Sequence, residues 1–218
     1  MTKLLHGTWR LSLLALLLTV SNETMAWRGM RMPELSVKGR YLMAKDVNGN
    51  DSIVNLHGFG QTYSPWFNER GNGWGWGKRP SACITYNQGV IKKMLDKGWM
   101  VNWMRLHMDP HWSNNDSKVE EWKAANPGKG FEENNIYAFD MDLFKKYLDE
   151  VFVPMAEYAI DNGLYVVMRP PGVCPEKLAI GDEYQEYLIK VWTYVCSHEK
   201  LKNNPYIMFE LANEPINM

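Results

Sequence analysis

The sequence predicts an α/β fold with parallel strands, and three observations predict it. Four short apolar runs, "SIVNLHG" (52–58), "WMVNWMRLHM" (99–108), "LYVVMR" (164–169) and "YIMFELANE" (206–214), are separated by stretches of helical period. A β-α-β-α-β-α-β order with crossovers of helix length makes neighbouring strands parallel. The segments that follow strand ends are long (58–85 and 109–139), whereas those that follow helices are short. No glycine-rich phosphate fingerprint follows the first run, because "GFGQTYS" has neither the spacing nor the helix start of a dinucleotide site. Long loops after strands, carrying polar and aromatic residues, are how a (β/α)8 barrel builds its active face. The expectation is therefore a (β/α)8 TIM barrel rather than a doubly wound sheet.

The elements follow in order. Lys3, His6 and Arg10 precede the ten-residue apolar stretch Leu11 to Val20, and Thr24 and Ala26 offer small side chains for cleavage. That is the pattern of a signal peptide over 1–26, too short to span a bilayer, with 27–218 as the exported unit. An uncleaved anchor is the alternative. "VKGRYLMAKDVNGNDSIVNLHG" predicts two strands around Asn48-Gly49, a type I′ turn signal. "DVNGND" lacks the Gly and Glu of a calcium loop, so the turn reading is preferred. "YNQGVIKKMLDKG" is an amphipathic helix with Val90, Ile91, Met94 and Leu95 on one stripe and Gly98 as its stop. Over 140–163 the apolar positions Leu143, Phe144, Tyr147, Leu148, Val151, Phe152 and Met155 keep helical spacing. Pro154 should kink or divide that helix, and Gly163 caps it. "DEYQEYLIKVWTYVCSHEKLKNN" is the last helix.

Composition narrows the function. The 218 residues are 45% hydrophobic and 22% charged, with Lys+Arg 24 against Asp+Glu 25 and a net charge of −1. This is globular composition without the basic excess that points to nucleic acid or an anionic membrane. Trp, at 10, is unusually common. Indole rings suit sugar-face stacking and are also ordinary core material. Cys83, Cys174 and Cys196 are odd in number, and the favoured reading is reduced, buried thiols. No zinc-type Cys/His cluster is present, and no cofactor is expected.

The chemistry concentrates at the fourth run. Strand alternation would put Glu210, Ala212 and Glu214 on one face, with Glu214 where the strand gives way to Pro215. Arg105 interrupts the apolar second strand and can pair with Glu210 below the site. That pair is either a brace for the site or a fold-fixing ion pair; both readings are open.

"ELANEP" at a fourth strand, "VNLHGFG" at the first and Arg105 on the second resemble glycoside hydrolase family 5, over most of residues 53–218. The resemblance implies a secreted TIM-barrel hydrolase, a cellulase- or mannanase-like glycosidase that cuts β-linked, β-1,4 plant polysaccharide with retention. In that family the Glu of Asn-Glu-Pro is the general acid/base, which maps to Glu214. The preceding Asn, here Asn213, binds the sugar 2-hydroxyl. The strand-two Arg maps to Arg105, and the end of strand one to Leu56-His57-Gly58. The family usually ends strand three with Asp-x-His; this sequence has "VVMRPPG" there, so subfamily specificity is not carried over.

Retaining hydrolysis needs two carboxyls about 5–5.5 Å apart. The nucleophile is expected on a later strand that is absent from this chain, which would hold the first four β/α units of a barrel of about 250 residues. Alone, the chain is expected to be inactive; the complete enzyme is expected to be a monomer whose partner is β-glucan or mannan. Trp74 and Trp76, in a glycine-rich loop, either stack on glycan or plug the barrel rim. His107, Asp109, His111 and Trp112 are expected to line a subsite rim, and a metal at His107 and His111 is not expected for want of a third ligand. Asn115-Asp116-Ser117 is a formal glycosylation acceptor. The alternative function is an exported carbohydrate-binding protein on a degenerate barrel, without hydrolysis.

Overall fold

A computed structural model describes residues 32–61 and 78–216. The predicted signal segment and the Trp74–Trp76 loop lie outside the described residues. The chain is α/β, with a small antiparallel sheet followed by a four-stranded parallel sheet.

The N-terminal region forms three strands where two were expected. β1 (Ser36–Lys38), β2 (Tyr41–Lys45) and β3 (Asp51–Ile53) make an antiparallel meander. The turn at Asn48-Gly49 is not type I′, because only Gly49 has positive φ and type I′ needs it at both central residues. The Asp46 carboxylate replaces that geometry by accepting from the Asn48 and Asn50 amides, both at 2.8 Å. These bonds hold its pKa below the usual carboxylate value, the Asn50 bond most.

The first parallel strand also begins later than expected. "SIVNL" is used up by β3 and its exit, and β4 is Gly58–Gln61. Asn102 fixes this start: its side chain donates to the Asn55 carbonyl (2.9 Å) and accepts from the His57 amide (2.7 Å). β4 pairs in parallel with β5 (Trp103–His107), β5 with β6 (Tyr165–Arg169), and β6 with β7 (Ile207–Phe209). Each strand lies beside its predecessor in sequence, without the reversal of order that makes a doubly wound sheet.

The crossovers are helical. α1 (Pro80–Asp96) starts earlier than its apolar stripe, with Pro at its first turn, and turns Cys83, Asn87 and Ile91 to the sheet. The long excursion after β5 holds α2 (Pro110–Ser113) and α3 (Asp116–Ala125). The next helix is divided as Pro154 required. α4 (Met141–Tyr147) passes through a π turn (Leu148–Phe152) into α5 (Val153–Asp161). Gly98 and Gly163 close α1 and α5 in left-handed conformation, with φ of 76° and 80°. α6 (Glu183–Ser197) is capped by Asp182, whose side chain accepts from the Gln185 amide.

All three crossovers contribute to one core. Ile91, Phe152, Met155, Ala159, Leu188, Val191 and Val195 pack against Met104, Leu106, Val166 and Met168 of the sheet. Full burial of such a side chain is worth about 1.5–3 kcal/mol. By alternation, the other sheet face carries Trp103, Arg105 and His107 from β5 and Tyr165, Val167 and Arg169 from β6. Near the N-terminal end of this face, Tyr165 donates to the Pro33 carbonyl at 2.6 Å. No described helix is long and apolar enough to cross a membrane.

Candidate active site

The C-terminal ends of β5, β6 and β7 bring the polar residues of this second face together. Register places Arg105 opposite Val167 and His107 opposite Arg169. β7 ends at Phe209, and one further ladder bond, Glu210 N–H to the Met168 carbonyl (2.9 Å), carries Glu210 into the same layer.

There Arg105 meets Glu210 in a bidentate pair. Its Nε donates to Glu210 Oε2 at 2.6 Å and its Nη2 to Glu210 Oε1. The same Nη2 donates to Asn213 Oδ1 at 2.7 Å. The bond to Glu210 raises the Arg105 pKa above its already high value, against the opposing effect of partial burial. The pair predicted from strands two and four therefore forms, with side chains 34% and 23% exposed.

Asn213 is the pivot of the following turn. It is 1% exposed. Its Nδ2 donates to the Gly172 carbonyl (3.3 Å), and its own carbonyl accepts from the Cys174 amide (2.9 Å). Glu214 comes next, exposed to solvent and with φ of +53°. A non-glycine residue in the left-handed region is strained, and such residues cluster where a side chain must be aimed.

Two further groups crowd the layer. His107 is 5% exposed, and burial, with the Arg169 and Arg105 charges, pushes its imidazole pKa down to about 2. It is therefore a neutral ring, and its Nε2 has no hydrogen-bond partner among the described residues. Arg169 donates through Nη2 to the Gly172 carbonyl (3.0 Å) and lies 3.5 Å from Glu133. Burial lowers its pKa, Glu133 opposes that effect, and Arg105 adds to it.

No family model, curated protein or solved structure matches this chain.

Several sequence expectations change with this geometry. His57 stands exposed at the N-terminal end of β4, the opposite end of the sheet from Glu214, because the strand starts after it rather than ending on it. Trp112 does not line a rim: it is 0% exposed in the core, its ring 4.9 Å from that of Tyr147. His111 is drawn into the same packing at an edge-on 6.2 Å from Trp112, and burial, with Lys78 nearby, lowers its pKa. Asp109 is buried and serves as the cap of α2, accepting from the His111 amide at 2.8 Å. Asn213 is buried, with its Oδ1 accepting from Arg105 and one Nδ2 proton given to the Gly172 carbonyl. Asn115 caps α3 by accepting from the Ser117 and Lys118 amides. Trp74 and Trp76 are not among the described residues. All three cysteines are unpaired; Cys83 and Cys174 are buried, whereas Cys196 is exposed. Among the described residues no group of three His, Cys, Asp or Glu side chains could hold a metal ion.

Sequence reasoning placed α6 but missed its role in supporting the site. From α6, Trp192 Nε1 donates to the Leu211 carbonyl (2.8 Å), Tyr187 Oη to that of Pro171 (3.0 Å) and Tyr184 Oη to that of Val173 (2.8 Å). One helix thus grips both the β6 and β7 loops. The available signal was the polar end of each ring, which needs a partner once buried.

Proposed function

We propose that this chain forms the first four β/α units of a (β/α)8 glycoside hydrolase, exported by its N-terminal segment, that cuts β-1,4-linked plant polysaccharide with retention. The observation that carries the reading is Glu214. It is an exposed carboxylate on strained backbone at the C-terminal end of the fourth parallel strand, above the Arg105–Glu210–Asn213 network. The sequential strand order and the packing of helices against one sheet face among the described residues support the barrel form, whose working groups sit at that end of the strands.

In this reading Glu214, as the acid, gives its proton to the glycosidic oxygen while the bond to the anomeric carbon breaks. A second carboxylate, about 5–5.5 Å away in retaining enzymes, attacks that carbon from the opposite side. Glu214, now a carboxylate, takes a proton from the water that hydrolyses the glycosyl-enzyme. Glu210 is not that nucleophile, because Arg105 holds both of its oxygens. The nucleophile belongs to a later strand of the barrel.

The test is Glu214→Gln in the complete barrel, assayed on soluble β-glucan and mannan. General acid/base assistance contributes about 10²–10⁴-fold. Turnover on unactivated glycan should fall by that order while binding survives. Unchanged turnover would remove Glu214 from the role, and glycan binding by a wild-type barrel without any hydrolysis would favour the carbohydrate-binding alternative.

A further inference from the structure

Resting on the glycosidase reading, we infer that Arg169 is a positioning residue: through the Gly172 carbonyl it fixes Asn213, and so aims Glu214. The Gly172 carbonyl accepts twice, from Arg169 Nη2 at 3.0 Å and from Asn213 Nδ2 at 3.3 Å. With Arg105 on Asn213 Oδ1, an unbroken chain runs Glu210–Arg105–Asn213–Gly172–Arg169–Glu133. It ties the ends of β5, β6 and β7 to the loop that carries Glu133. The Cys174 amide closes a second link onto the Asn213 carbonyl. Asn213 is therefore held at both ends of its amide and at its backbone, and Glu214 is the next residue.

Gly172 is what lets the β6 loop reach this position. Its φ is +83°, and a Cβ there would lie 2.3 Å from the Glu133 carbonyl oxygen and 3.4 Å from Tyr184 Oη. Only glycine fits without moving that backbone. Arg169 is set just as closely. Its side chain is 11% exposed, and its Nε finds no partner among the described residues. A buried guanidinium with an unused donor is costly. Its Nη2 is directed at the carbonyl that orients Asn213 and is thus committed inside the protein rather than offered to substrate.

A misaimed acid has a kinetic signature that a merely weakened fold lacks. An unactivated glycan needs its leaving oxygen protonated, whereas a dinitrophenyl glycoside expels a leaving group that needs no proton. Displacement of a catalytic group by about 1 Å can cost 10²-fold. In the complete barrel, Arg169→Gln should lower kcat/KM on unactivated glycan by about 10–100-fold and leave the dinitrophenyl glycoside nearly unchanged. Arg169→Lys, which can still donate to the Gly172 carbonyl, should recover part of the loss. By hydrogen exchange in the full chain, Arg169→Gln should speed the Cys174 amide by about tenfold, the weight of one net hydrogen bond, with the β6 amides unchanged. Equal losses on both substrates, or an unaltered Cys174 amide, would overturn the positioning role. Glu214→Gln is the control: if it too fails to discriminate between the substrates, the acid/base reading itself falls.

Discussion

Acid should destabilise this fold through His107 in particular. The imidazole is 5% exposed beside Arg105 and Arg169, and its pKa falls from 6.5 to about 2 on folding. Between those values the unfolded chain binds a proton that the native state refuses, so stability rises with pH across the window and is lost as pH falls. Each pH unit below the unfolded pKa costs about 1.4 kcal/mol. Allowing for partial protonation of the unfolded chain at pH 6, the His107 share lost between pH 6 and pH 4 is about 2.5 kcal/mol. The perturbation is His107→Gln, which keeps a polar side chain of similar reach and cannot titrate. The assay is urea unfolding of both proteins at pH 6 and pH 4, followed by tryptophan fluorescence. The wild type should lose about 2.5 kcal/mol more than the variant over that interval. His111, whose pKa burial also lowers, is common to both proteins and drops out of the difference. Parallel losses in the two proteins would show that His107 is charged or solvated in the native state, which would refute the packed neutral ring beneath the site.

Other consequences follow from the same geometry. Trp112→Ala should cost about 3–5 kcal/mol in denaturant unfolding, as a core indole; an unchanged urea midpoint would refute its place in the core. Gly172→Ala should lower stability by about 1–3 kcal/mol through backbone strain and displacement from Glu133, read as a shift in the urea midpoint, and a neutral result would show that the loop moves freely. Asn115→Ala should cost about 0.5–2 kcal/mol through loss of the α3 cap, visible in the thermal midpoint, whereas Asn115→Asp should be tolerated because the cap needs only the side-chain oxygen.

Much of this architecture was legible because it rests on local pattern. The α/β alternation, the buried stripe of Phe144, Tyr147, Leu148, Val151 and Met155, and the break near Pro154 are all periodicity or proline chemistry. The Arg105–Glu210 pair was legible because two opposite charges inside apolar strands have few ways to be satisfied. Errors arose where the outcome depended on distant partners. Whether "SIVNL" joins the meander or the parallel sheet is decided by Asn102, 47 residues from Asn55. Whether an indole faces a sugar or a core is decided by which loop returns over it, and for Trp112 that neighbour is Tyr147. Composition cannot separate those fates.

The turn that carries Glu214 has the same kind of cause. Alternation along "YIMFELANE" assumes that the strand runs to residue 214, but the ladder stops at Phe209. Its partner strand explains the stop. β6 ends at Arg169 and is followed by Pro170 and Pro171, which have no N–H to donate, so β7 loses its bonding edge after Glu210 takes the Met168 carbonyl. Freed from the sheet, residues 211–214 are held instead by Trp192, Gly172, Cys174 and Arg105. Pro170 and Pro171 thus set where the sheet stops. They end the sheet early enough for Asn213 to turn inward and for Glu214 to turn out, which makes the "RPPG" segment part of the site rather than a gap in it.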